Sequence, residues 1–214
     1  LFRSRTLEAD VNKLKQINNN IIVFAPSVED IYEGITKAEN FDFDGLEFEM
    51  EGKHRPGHFD GVGTIVKRLF EIVQPTKAYF GEKDFQQLAI VKKMVSKNNI
   101  LVEVVGQPIF REANGLAMSS RNERLSISQR EQASFIFKTL TKAKELFEIK
   151  SAEEVKIWVE TQFEKNDQFK LEYFENADEE TLRSIETKEL YKKYRAFIAV
   201  FINDVRLIDT ISLN

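Results

Sequence analysis

The apolar run Ala78-Tyr79-Phe80 stops at Gly81, and three charges follow at once, Glu82, Lys83 and Asp84, before an apolar-periodic segment begins. A strand that breaks at a glycine and leads into a helix is a place where anions bind. Ligands sit beyond the carboxyl ends of parallel strands, where helix N-termini point free N–H groups outward. Gly81 lets backbone approach a ligand closely. Lys83 adds a mobile positive charge for phosphate, although a cation at the positive end of a helix costs about 0.3–1 kcal/mol until an anion relieves it. A purely structural reading stands beside this one: Asp84 as N-cap and Gln87 three residues later form a capping box. That reading accounts for neither Gly81 nor Lys83.

A second candidate is "GLAMSSRN" (Gly115–Asn122), where two hydroxyls and an arginine can donate to phosphate oxygens, the arginine through two parallel bonds. The alternative is a solvated loop with serine turns. A third is "HRPGHF" (His54–Phe59), read as a loop whose Pro56-Gly57 turn precedes a long helix. His58 lies four residues before Val62 and shares that helix's inner face, as a partly buried structural histidine. Arg55 and His58 are also weighed as pocket residues. With two His and no Cys, soft-ligand metal binding is not expected.

The elements that must hold these loops follow from periodicity. Leu7, Val11 and Leu14 give an amphipathic helix from Thr6 to about Ile17. Ile21-Ile22-Val23-Phe24 reads as a strand buried on both faces of a parallel sheet. Ser27 caps a short helical turn before Gly34, and residues 41–52 are ambiguous. Val62, Ile65, Val66, Leu69, Phe70 and Val73 define a helix that Pro75 ends. Ala78–Phe80 is a strand, Asp84–Ser96 a helix with Leu88, Val91 and Val95 inward, and Leu101–Val105 another strand. This strand–helix alternation indicates an α/β fold, a parallel sheet with right-handed crossovers.

After Gly106 comes a polar, turn-rich stretch, Pro108–Ser126. Two helices follow, opened by the boxes Ser126-x-x-Gln129 and Ser151-x-x-Glu154. They bury Ala133, Ile136, Phe137, Leu140 and Ala143, then Val155, Trp158, Val159 and Phe163. Strands are expected at Leu171–Phe174, Ala196–Ile202 and Val205–Ile208, with Asn203-Asp204 as the turn between the last two. That makes a small α+β domain with antiparallel strands, so the expected division is 1–110 and 111–214.

A net charge of −4 argues against nucleic-acid binding, which needs a basic surface. The absence of cysteine excludes disulfides and suits a reducing cytoplasm. No apolar run reaches membrane-spanning length, and no signal peptide opens the chain.

"RPGHFDGVGTIVKRLFEIVQPTKAYFGEKDFQQLAIVKKMV", followed by "GLAMSSRNERLS", closely resembles the pantoate–β-alanine ligase family. "FGEKDFQQL" and "AMSSRN" at this spacing are highly specific for it, and "FAPSVEDIY" and "RLIDT" agree, so the resemblance covers essentially the whole chain. It implies a nucleotide- and pantoate-binding Rossmann-like domain of the nucleotidylyltransferase type, a C-terminal lid that clamps ATP, and a homodimer. It implies ATP with Mg2+, pantoate and β-alanine as reactants, a pantoyl-adenylate intermediate, and release of AMP and pyrophosphate in coenzyme A precursor synthesis. Residue by residue, Gly81, Glu82, Lys83 and Asp84 would contact ATP, Lys83 at phosphate oxygens and Asp84 at the ribose hydroxyls. Gln87 would bond pantoate, and the main chain near Phe110 would meet adenine. Met118, Ser119, Ser120 and Arg121 would carry the phosphates, with Lys83 and Arg121 as the catalytic cations.

The family also has an N-terminal strand, a His-x-Gly-His motif and an upstream pantoate-binding glutamine, which do not occur in these 214 residues. The expectation is a truncated chain that does not turn over alone. A nucleotidylyltransferase of the same fold and an inactive nucleotide-binding or dimerising fragment are the alternatives.

Overall fold

The computed structural model describes residues 7–32 and 37–214. Two compact units appear, Leu1–Lys37 and Ala38–Asn214. In the first, α1 (Leu7–Ile17) forms where the spacing places it, and α2 (Val28–Tyr32) follows Ser27. Ser27 Oγ accepts from Asp30 N–H at 3.1 Å, and Ser27 N–H donates to the Asp30 carboxylate at 2.9 Å, a reciprocal cap. Thr6 and Gly34 lie outside the described residues. The strand expected at Ile21–Phe24 is not formed. The segment carries no strand pairing, and Ile22 is 92% exposed. A strand is defined by its ladder, and no described residue supplies one here.

In the second unit, residues 41–52 resolve into a 3-10 turn at Leu46–Phe48 and α3 (Met50–His54). Helix α4 (His58–Val73) starts earlier than its apolar periodicity suggests. Its most buried positions are Phe59, Gly63, Thr64 and Phe70, while Val73 is exposed. The reason lies at Gly63, where a Cβ would stand 2.9 Å from the Phe41 ring, so bare backbone admits Phe41 and Phe43. Strand β1 (Lys77–Gly81), helix α5 (Phe85–Lys97) and strand β2 (Glu103–Gln107) form one parallel crossover unit, with Phe80 opposite Gly106. This is the only parallel pair among the described residues, two strands rather than three.

Helix α6 (Ile127–Gln132), helix α7 (Ser134–Ile149) and helix α8 (Ala152–Glu164) follow, and both expected capping boxes are present. Strands β3 (Lys170–Asp178), β4 (Tyr194–Ile202) and β5 (Val205–Ser212) make an antiparallel sheet in that order. The β4–β5 turn is tight: Ile202 pairs with Val205, and Asn203 takes φ +50°.

Two hydrophobic clusters flank this sheet. Ala196, Ile198, Val200 and Ile202 pack with α7 and α8 on one face. Phe197 points the other way and joins Ala177 and Leu182 in a cluster with Phe43, Leu46, Met50, Phe59, Phe70, Ile90, Val91 and Met94. The junction expected near residue 110 therefore runs through the unit Ala38–Asn214, because the sheet of its C-terminal half completes the core of its N-terminal half. No helix of the described residues is long and apolar enough to cross a membrane.

Candidate active site

Lys83 sits in a 3-10 turn, Glu82–Asp84, that runs directly from β1 into α5. The capping box expected from Asp84 and Gln87 is absent. Asp84 makes no side-chain cap, and its carboxylate faces Lys83 Nζ at 3.4 Å instead. Gly81 has φ −72°, a value open to any residue, and a Cβ there would meet nothing within 4 Å. The fold does not require that glycine, and the space beside its backbone is open.

Residues 111–122 form the facing wall. The loop is closed by an Arg111–Ala117 bridge, and Gly115 takes φ +92° with Phe137 packed beneath it. Ser119 caps the next 3-10 turn, Ser120–Arg124, by accepting from Arg121 N–H. Arg111 fastens the loop to β5 through Asp209, with Nη1–Oδ2 at 2.6 Å and Nη2–Oδ1 at 3.0 Å, and its guanidinium lies 3.8 Å from the Phe137 ring centre. Burial pushes the Asp209 carboxyl up, against the pull of Arg111 and a weaker pull from Lys83.

Asn122 is 1% exposed and donates through Nδ2 to Glu112 Oε1 at 2.8 Å and to Ala117 O at 3.1 Å. Arg130 holds Glu112 in turn through two bonds. With its amide nitrogen so committed, Asn122 Oδ1 is left buried with no protein partner.

These pieces converge. One cleft is lined by Lys83, Ser119, Arg121, Asn122, Arg206 and Asp209, among others. Two cations 38 positions apart thus face one space, with a free volume of about 10 Å3, room for little more than a water.

The remaining candidates lie around it. Gly81, Glu82 and Asp84 are chain neighbours of Lys83, but the Glu82 carboxylate is turned to Arg195 Nη2 at 3.5 Å. Gln87 is half-buried in the first turn of α5, and Ser120 is exposed. Phe110 and Met118 are 76% and 46% exposed and adjacent, Met118 N–H donating to Phe110 O at 2.9 Å. Arg55 lines a separate groove of about 430 Å3 with Phe41, Glu47 and Phe59. His58 packs on Phe59 at 5.0 Å, and burial, then the Arg55 charge, push its pKa down.

The sequence model of the pantoate–β-alanine ligase family matches residues 3–212. The chain belongs to this family. The ligase is 64% identical over 209 residues to a pantothenate synthetase of Flavobacterium psychrophilum, covering 98% of this chain and 74% of that protein. It also superposes on the crystal structure of a pantothenate synthetase from Thermus thermophilus with a TM-score of 0.88 at 37% identity, over 98% of this chain and 75% of that one. A ligase of Francisella tularensis, solved with β-γ ATP and β-alanine, superposes with a TM-score of 0.69 at 29% identity, over 97% and 70% of the two chains. The ligase is thus an α/β enzyme of the kind that joins pantoate to β-alanine.

Sequence reasoning gave no role to Arg111, Asn122, Arg206 or Asp209. Arg111 and Asp209 stand 98 positions apart, and no local spacing links them. Asn122, Arg206 and Asp209 do fall within the strings "AMSSRN" and "RLIDT", which was the one available signal.

Proposed function

We propose that this ligase condenses pantoate with β-alanine at the expense of ATP, through a pantoyl adenylate. The observation that carries the reading is the cleft shared by Lys83 and Arg121. In the first step a pantoate carboxylate oxygen bonds to the α-phosphorus of ATP and the bond to pyrophosphate breaks. In the second the β-alanine amine attacks the acyl carbon, AMP leaves, and the amine gives up a proton. Both steps shift negative charge on phosphate oxygens, so preorganised cations and fixed positions are what the protein must supply.

Lys83 and Arg121 meet the phosphates from opposite walls, and Ser119 and Ser120 add hydroxyl donors beside Arg121. Asp84 accepts from the ribose hydroxyls, Gln87 holds pantoate, and the main chain at Gly81 and Phe110, with Met118, frames the nucleotide. Glu82 stands next to Lys83 and supports it. No group of three His, Cys, Asp or Glu able to hold a metal occurs among the described residues, and Asp209 is committed to Arg111. Mg2+ would enter on the nucleotide substrate, carried on its phosphates.

A cleft with room for one water does not admit a triphosphate. The Met118–Arg121 turn therefore moves off Lys83 and closes again, while the sheet β3–β5 stays in the core it shares with α3, α4 and α5. A cytoplasmic homodimer completes the reading.

The test is a steady-state assay of the full-length ligase. AMP release that requires both pantoate and β-alanine is the expected result. Transfer of AMP to a phosphate acceptor without β-alanine would instead make it a nucleotidylyltransferase.

A further inference from the structure

Arg195 of β4 is 7% exposed, yet it lies beneath the hinge that carries Lys83. Its Nε donates to Glu179 Oε1 at 2.8 Å, its Nη2 reaches Glu82 Oε2 at 3.5 Å, and its guanidinium lies 4.0 Å from the centre of the Phe85 ring. These three contacts use two N–H donors of the guanidinium and its flat face. Glu82 and Phe85 bracket Lys83 and Asp84 in the chain. Phe197, two residues along β4 on the same face, also meets Phe85, edge-on at 5.9 Å. The room for the Glu82 carboxylate comes from Gly106 of β2, where a Cβ would stand 3.3 Å from Glu82 Oε1 and 3.0 Å from Leu88 Cδ2. A buried cation, a glycine that clears space and a stacked ring all act on the four-residue turn that holds Lys83.

We propose that Arg195 is a positioning residue for Lys83, acting through Glu82 and Phe85 and touching no substrate itself. The inference rests on the ligase reading of the cleft, and it gives Glu82 a structural task in place of a direct contact with ATP. Glu179 holds the guanidinium at Nε and so fixes Nη2 toward Glu82. The turn then cannot slide along the helix axis, and the ammonium stays where the phosphate charge develops. Misplacing a reacting group by about 1 Å can cost on the order of 100-fold in rate, which sets the size of the expected effect.

The experiment uses the full-length ligase in two backgrounds, native and Lys83→Ala. In the native background Arg195→Lys, which keeps the charge but loses the fork and the stacked plane, lowers kcat by roughly 10–100-fold and leaves KM for pantoate unchanged. Glu82→Gln, which leaves the Arg195–Glu179 pair intact, lowers kcat in the same direction, and the double variant is no worse than Arg195→Lys alone. In the Lys83→Ala background neither substitution reduces the residual rate further. Should Arg195→Lys fail to fold, Glu82→Gln carries the same comparison. An equal loss in both backgrounds makes Arg195 a general stabiliser and overturns the inference, as does undiminished kcat in the native background. Native turnover in Lys83→Ala itself removes the ligase reading of the cleft and this inference with it, so the two failures are told apart.

Discussion

Arg206 of β5 and Glu51 of α3, separated by 155 positions in the chain, meet in a two-bond pair, Nη2–Oε1 at 2.7 Å and Nη1–Oε2 at 3.0 Å. Arg206 also donates through Nε to Glu172 at 2.7 Å, and Tyr173 O–H donates to Glu51 at 2.8 Å. A register shift between Leu171 and Tyr173 lets two adjacent side chains of β3 reach this cluster. Burial pushes the Glu51 carboxyl up, but the Arg206 bonds and charge prevail and hold it below the usual range. Arg206 also lines the cleft, so the cluster ties α3 to the wall that faces Lys83.

Arg206→Ala strands two largely buried carboxylates and destabilises the protein by about 3–5 kcal/mol. Lys53→Ala, which cuts only the half-exposed pair with Glu49 at 3.3 Å, costs less than about 1 kcal/mol. Urea denaturation midpoints of the two variants check the contrast, and equal shifts would contradict it.

Lys83→Ala in the full-length ligase lowers kcat by on the order of 100–1000-fold, the loss seen when one preorganised transition-state donor is removed. Melting temperature changes little, because the only ion pair of Lys83 among the described residues is the 3.4 Å contact with Asp84. Steady-state rates and thermal melts test the two halves of this expectation.

Ser151 N–H and Oγ bond the Glu154 carboxylate and hold its pKa at about 2, against an ordinary 4.5. The folded-state value is the lower one, so the charged cap stabilises α8 above pH 4.5 and that contribution disappears as pH falls toward 2. Glu154→Gln should therefore trail the native protein by a constant margin at neutral pH, with the two denaturation curves converging in acid.

His58 titrates below 6.5, since burial and then the Arg55 charge both disfavour the imidazolium. Arg55→Gln removes the second cause and moves the midpoint upward without restoring it fully. Imidazole chemical shifts followed by NMR across pH 4–8 would read this, and a downward movement would show the cause to be misassigned.

Much of this architecture was legible in one dimension. The position of α5 follows from the spacing of residues such as Leu88 and Val91, the Ser151 box marks the start of α8, and the Ser126 box marks only the short α6, which a break at Ala133 separates from α7. Ile21–Phe24 misled because apolar β-branched character says that a segment suits a ladder, not that a ladder is there. Asp84 misled because cap chemistry depends on the turn that precedes the helix, and a 3-10 turn aims its carboxylate elsewhere. The cleft was legible only in halves. Lys83 and Arg121 announce themselves locally, whereas Arg111–Asp209, Arg195–Glu82 and Arg206–Glu51 are products of tertiary folding with no signature in spacing.

Strand β4 turns Phe197 toward one cluster of side chains and Ala196 and Ile198 toward the other. It is a party wall between two rooms, and pulling it down opens both. Residues 38–214 should consequently melt as one cooperative block, and a protease nick in the exposed turn around Met118 should leave two fragments that denature together rather than a surviving half.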